Sequence, residues 1–378
     1  MSRIFPFSIF LLPFINFSPV SSSNISFSMI GFILCFLILI KQKKLYISQT
    51  SLLFFVFILF LTFSQILSSD SITNKYFSQI INMILILICF ITFNSLATNY
   101  GKFEIYEYYF RYGIILCLIT FCFFSVIFLL KTDSGLYFIK LFNNSGNFTG
   151  TGVALHSGQL FSEVRMNLFF PEPSFFSIYI STLIGIGIAL KKQKKIIFML
   201  IVFLLLTVGR TGILALSMIF LTLLFIKLFN PNRLIRGFIG VSLLIFPIFL
   251  YLLIFNYLTN IDMSFFQRID SIRNAISFAS ESIIYGHGFE TYNNMARSIG
   301  YHSGDIFNFF LSLLVVGGLL SLMPFVIFIF FVFFNSSKEE LPLLCSILAI
   351  LSTIPSLNIY FLIFIMAASS SSSLFKEL

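Results

Sequence analysis

Charge is what this chain has least of. Of 378 residues, 23 are Lys or Arg and 14 are Asp or Glu, so charged side chains make up 10%, against about 25% in an ordinary soluble protein. That scarcity excludes a soluble globular domain, and a hydrophobic content of 58% excludes a disordered chain. Tryptophan is absent, so an interfacial aromatic belt must be built from Tyr, as at Tyr76, Tyr100, Tyr108, Tyr112, Tyr251 and Tyr257. The five cysteines, Cys35, Cys89, Cys117, Cys122 and Cys345, all fall inside apolar runs. They read as small buried hydrophobes, which excludes a secreted disulfide scaffold. His156, His287 and His302 show no short ligand spacing, so neither a metal site nor a cofactor is expected.

What is abundant is apolar sequence, with 55 Phe, in runs near the length that crosses a bilayer. The runs extend from Ile4 to Pro19, Asn24 to Ile40, Ser51 to Ser68, Tyr76 to Ala97, Tyr112 to Leu130 and Glu172 to Leu190. They continue from Ile196 to Val208, Thr211 to Phe229, Leu234 to Leu258 and Ile306 to Phe334. The stretch from Leu341 to Ala368 is one long span or two short ones broken around Pro355, and the serines from Ser369 to Ser373 read as a flexible tail. The expected fold is therefore all-α: a single integral membrane domain, a polytopic helical bundle with eleven or twelve crossings.

Orientation follows from the lysine clusters at Lys41, Lys43 and Lys44 and at Lys191, Lys192, Lys194 and Lys195, both expected in the cytoplasm. Counting spans between them returns both to the same side. With the C-terminus also inside, 15 of the 23 basic residues are cytoplasmic, whereas nine of the 14 acidic residues and all three histidines are external. The net charge of +9 is thus a topology signal rather than a nucleic-acid surface. Two long loops dominate the outer face, Lys131 to Pro171 and Thr259 to Asp305, and loops of this length usually bind or catalyse.

Candidate chemistry gathers on that face. Glu172 precedes Pro173, which suits a first helical turn; the carboxylate either caps that helix or takes part in a reaction. Only fifteen residues separate Lys195 from Arg210, about 22 Å of helix against a hydrocarbon core of about 30 Å. Arg210 should then be recessed, facing a watery cavity, paired with Glu172 or snorkelling outward. Five of the nine arginines are external (Arg165, Arg210, Arg268, Arg273 and Arg297), while eleven of the fourteen lysines are internal. Guanidinium grips phosphate or carboxylate bidentately where Lys offers a point charge, although the acidic residues of the second loop could simply pair with its arginines. His302 is a candidate base ahead of the span at Ile306.

In order along the chain, Phe170-Pro171-Glu172-Pro173-Ser174-Phe175-Phe176, Val208-Gly209-Arg210-Thr211-Gly212, Gly286-His287-Gly288, and His302 ahead of Gly317-Gly318-Leu319-Leu320 resemble the O-antigen polymerase and ligase superfamily. The likeness covers Arg165 to Leu320; the first 130 residues match only as generic spans. His302 is followed by Ser303 where family members commonly carry Asn, and the gap to the Gly-Gly pair is longer here. The resemblance implies a metal-independent glycosyltransferase of the bacterial inner membrane that uses sugar carried on undecaprenyl pyrophosphate, with its active site facing the periplasm. It implies Glu172 and His302 as catalytic residues and Arg210 as a donor to pyrophosphate; the excess of arginine on the outer face adds Arg165, Arg268 and Arg273 as candidate donors to pyrophosphate or glycan. Its implied partners are the lipid-linked oligosaccharide, the bilayer, a chain-length regulator and a flippase, with no nucleic acid. A polymerase is expected ahead of a ligase that moves finished glycan onto a lipid A core. A lipid-linked oligosaccharide flippase would need ionisable or helix-breaking residues at mid-span, and the span centres here are almost purely apolar.

Overall fold

The computed structural model describes residues 4–14, 26–68, 74–130, 173–207, 209–244, 263–288, 306, 308–354 and 359–371. Among them there is no strand. The helices are α1 (Ile4–Leu11), α2 (Phe27–Lys41), α3 (Gln49–Ser68), α4 (Asn74–Tyr100), α5 (Lys102–Leu130), α6 (Pro173–Ala189) and α7 (Lys194–Thr207). They continue with α8 (Arg210–Phe229), α9 (233–244), α10 (Met263–Glu281), α11 (Phe309–Asn335), α12 (Leu341–Leu351) and α13 (Tyr360–Ser369). Five are long and apolar enough to cross a bilayer, within α3, α4, α5, α8 and α11, and shorter apolar helices accompany them. The protein is an all-α polytopic membrane bundle. The stretch after Leu341 is two short helices, with α12 ending ahead of Pro355; a proline ring cannot continue the hydrogen-bond ladder.

The chain forms two compact units. The first comprises Met1–Leu45, Ser95–Phe229 and Ser337–Ile347; the second comprises Tyr46–Asn94, Asn230–Ser336 and Leu348–Leu378.

At the centre of the first unit is α6, buried on every side from Phe176 to Gly187. Small residues make this possible, because without hydrophobic drive between helices in lipid, close backbone approach supplies the packing. A Cβ on Gly113 of α5 would stand 2.3 Å from Leu183, one on Gly185 2.8 Å from Leu343 of α12, and one on Gly187 2.8 Å from Phe110. The buried hydroxyls of Ser177, Ser181 and Thr182 each donate to the carbonyl three residues back, so α6 satisfies its own polar groups.

One end of this unit gathers charge. Lys102 Nζ lies 2.6 Å from Glu340, Lys192 Nζ donates to Glu107 at 2.8 Å, Arg111 pairs with the same carboxylate at 2.9 Å, and Lys44 Nζ donates to the Tyr100 hydroxyl at 3.3 Å. Four clusters that the span count assigns to one side of the bilayer are thus joined at one end of the bundle.

The second unit has a phenylalanine core. Phe54 stacks on Phe90 at 4.5 Å between ring centroids and meets Phe328 at 4.9 Å, and Phe57 meets Phe325 at 5.0 Å. Its other feature is a break in α11 at Gly318, where φ is 60° and ψ −165°.

Two expectations are corrected here. Ser369, Ser370 and Ser371 are not a loose tail: all three are buried, Asn94 Nδ2 donates to the Ser370 hydroxyl and to the Ala367 carbonyl at 3.0 Å, and Ser370 and Ser371 back-bond to their own helix. A run of small hydroxyls closes a helix end when a neighbouring helix supplies an amide. Four cysteines are buried as expected, but Cys122 is exposed.

Candidate functional site

In the first unit, α6 and α7 both run away from the lysines at 191–195 and end at Pro173 and Thr207. The fourteen residues of α7 span only about 21 Å, so the turn that follows is short of a full crossing. Gly209 and Arg210 form that turn's exit, with the Gly209 N–H donating to Thr207 Oγ1 at 3.2 Å. Arg210 is the first residue of α8 and is exposed.

Glycine decides what Arg210 sits beside. A Cβ on Gly209 would lie 2.2 Å from Ser177 Oγ, and one on Gly212 would lie 2.5 Å from Ser177 Cβ and 2.9 Å from the Ser177 carbonyl carbon. The N-terminal turn of α8 is therefore pressed against α6 one turn after Pro173. Among the described residues, the stretch 209–212 and the start of α6 meet at Ser177, and Gly209 and Gly212 on either side of Arg210 permit the contact. Glu172 and Arg165 lie outside the described residues.

In the second unit, the stretch expected as a long loop contains α10, which was not anticipated. Its signal was present: Ile272, Ala275, Phe278 and Ala279 repeat at helical spacing and pack with Ile306, Leu311 and Val315, while Arg273, Ser277 and Ser280 are exposed. Arg268 belongs to the same helix. His302 lies outside the described residues.

Gly286-His287-Gly288 and Gly317-Gly318-Leu319-Leu320 also come together. The His287 and Gly288 N–H groups donate to the Val315 and Val316 carbonyls at 2.8 and 3.0 Å, and the Leu319 and Leu320 N–H groups donate to the Ile283 and Ile284 carbonyls at 2.8 and 3.1 Å. The groups freed by breaking α11 are thereby satisfied by the turn after α10, as a polar backbone in a membrane protein requires. Gly286 (φ 71°), Gly288 (φ 70°) and Gly318 take left-handed backbone, and a Cβ on Gly318 would stand 2.2 Å from the Ile284 oxygen. Ser64 Oγ donates to the Tyr285 carbonyl at 2.8 Å, and Gln65 Nε2 reaches the Val316 carbonyl at 3.4 Å. His287 Nε2 is 2.6 Å from the Phe278 carbonyl. A carbonyl can only accept, so this nitrogen carries the proton and closes the C-terminal turn of α10.

The arrangement presents one guanidinium at the mouth of a tight α6–α8 junction and a helix carrying two more in the second unit. Guanidinium groups in such positions stabilise anions and developing negative charge. The chain matches no protein-family model, no curated protein and no solved structure.

Proposed function

We propose that the chain joins lipid-linked oligosaccharide repeat units into a surface polysaccharide, acting as a metal-independent glycosyltransferase on the periplasmic face of a bacterial inner membrane. The observation that carries this reading is the close approach of the first turn of α8, which Arg210 opens, to Ser177 of α6 at Gly209 and Gly212. It brings a cation to the helix that opens directly after Glu172. The resemblance of these segments to the O-antigen polymerases, in order and spacing, supports the substrate class.

In the proposed reaction the bond between the anomeric carbon and the undecaprenyl pyrophosphate oxygen breaks as an acceptor sugar hydroxyl forms a new glycosidic bond. The electron pair leaves with pyrophosphate, whose growing charge Arg210 and Arg165 offset. The hydroxyl proton passes to Glu172, with His302 as the other candidate base. Arg268 and Arg273 are further candidates to hold glycan or phosphate.

The test begins with the sugar product after gene deletion. Loss of long polymer with one repeat unit still on the core supports a polymerase. Loss of every repeat unit from the core points to a ligase, and repeats trapped on lipid inside the cell point to a flippase. In purified protein given defined lipid-linked repeats, Glu172→Gln should bind donor normally but turn over about 10² to 10⁴-fold more slowly, and Arg210→Lys should lose polymer while remaining folded. A near-normal ladder from Arg210→Ala rejects the assignment.

A further inference from the structure

The sequence places residues 259–305 wholly outside the bilayer, yet the turn that follows α10 carries three large apolar side chains in the open. Ile283 is 51% exposed, Ile284 53% and Tyr285 48%. A water-facing turn of that composition is unfavourable, with about 25 cal/mol for each square ångström of apolar surface left in water. Its backbone cannot lift away, because Ile283 and Ile284 accept hydrogen bonds from Leu319 and Leu320, and Tyr285 accepts one from Ser64.

Those partners fix its depth. Leu319 and Leu320 belong to α11 on the Asn335 side of the Gly318 break. Sixteen residues of helix from Asn335 to Leu319 rise about 24 Å, short of a hydrocarbon core of about 30 Å. With the Asn335 end at one boundary, Leu319 is still inside the hydrocarbon, near the opposite boundary. Below it, Leu319, Met323 and Ile327 recur every fourth residue and are all exposed, which is one face of the helix and, in a membrane span, the face toward lipid. Ile283 and Ile284, themselves exposed, are hydrogen-bonded through their carbonyls to Leu319 and Leu320 of α11, where that stripe begins.

We propose that residues 282–285 are a re-entrant turn seated in the outer edge of the hydrocarbon, with Ile283 and Ile284 in contact with lipid acyl chains. The turn is internally closed: the Gly286 N–H donates to the Ser282 carbonyl and Ser282 Oγ donates to the Gly286 carbonyl, both at 2.9 Å. The carbonyls of Ser282, Ile283, Ile284 and Tyr285 all accept hydrogen bonds, so the apolar side chains can meet the acyl chains while these acceptors stay paired. The helix that carries Arg268 and Arg273 is consequently anchored to the bilayer at its C-terminal end, independently of which reaction the protein performs.

The absence of Trp from the chain makes the test direct. Ile284→Trp, Ile283→Trp and the milder Tyr285→Trp each supply a single reporter in full-length protein reconstituted into phospholipid nanodiscs, with folding checked by circular dichroism and gel filtration. The expected result at positions 283 and 284 is blue-shifted emission that is mostly lost when the nanodisc lipids carry bromines on their acyl chains, and that aqueous iodide barely touches. Red-shifted, iodide-quenched emission would place the turn in water and overturn the proposal. Blue-shifted emission insensitive to both quenchers would mean that protein covers the turn, which overturns it equally. If neither isoleucine variant folds, Tyr285→Trp decides by the same two quenchers.

Discussion

Lys102 and Glu340, 238 residues apart in the chain, meet at 2.6 Å, and the carboxylate is fully buried. The same carboxylate accepts the Tyr106 hydroxyl at 3.2 Å and the Ser337 N–H at 2.8 Å, the second bond being half of a capping box at the start of α12. Every lone pair facing the protein has work, so removing one partner should hurt more than removing both. Lys102→Ala should destabilise the protein by about 3 kcal/mol by leaving a buried carboxylate uncompensated. Lys102→Ala with Glu340→Gln should recover part of that loss, read as the fraction remaining monodisperse after heating in detergent.

Gly212→Ala should reduce both stability and polymer formation, because its Cβ would meet Ser177 Cβ at 2.5 Å, and overpacking of this kind costs about 1–3 kcal/mol. The diagnostic variant is the double one. Ser177→Gly in the Gly212→Ala background opens the contact and should restore part of both properties; no recovery would mean that the α6–α8 approach does not position Arg210.

Gly318 and Gly101 separate two reasons for needing glycine. Both have positive φ, but a Cβ on Gly101 would meet nothing within 4 Å, while one on Gly318 would strike the Ile284 oxygen at 2.2 Å. Gly101→Ala should therefore cost only about 1 kcal/mol of backbone strain. Gly318→Ala should cost clearly more and should detach the turn at 283–285 from α11, seen as faster hydrogen exchange at Leu319 and Leu320.

The orientation is open to chemical labelling. In a background without the native thiols, a cysteine at Gln193 should stay unreactive toward an impermeant maleimide in intact spheroplasts, and one at Ser145 should react. The reverse pattern would invert the topology and remove the periplasmic reading of Arg210.

The sequence by itself determined the membrane class and, within a few residues, most helix boundaries. Hydropathy is a local sum: α3, α6, α7, α8 and α11 begin and end near where their apolar runs do. Short α7 was legible for the same reason, since length along a helix is set by residue count. Tertiary structure alone decided the rest. Whether Ser370 frays or is buried depends on Asn94, far away in the chain; whether Gly212 is a defect in a helix or a contact depends on Ser177. Gly286 and Gly318 look like unrelated weak motifs until the break in α11 exposes carbonyl and N–H groups that the turn after α10 must satisfy. Periodicity marks which face of a segment is apolar, but pairing partners that lie tens or hundreds of residues apart are fixed only when the chain folds back on itself.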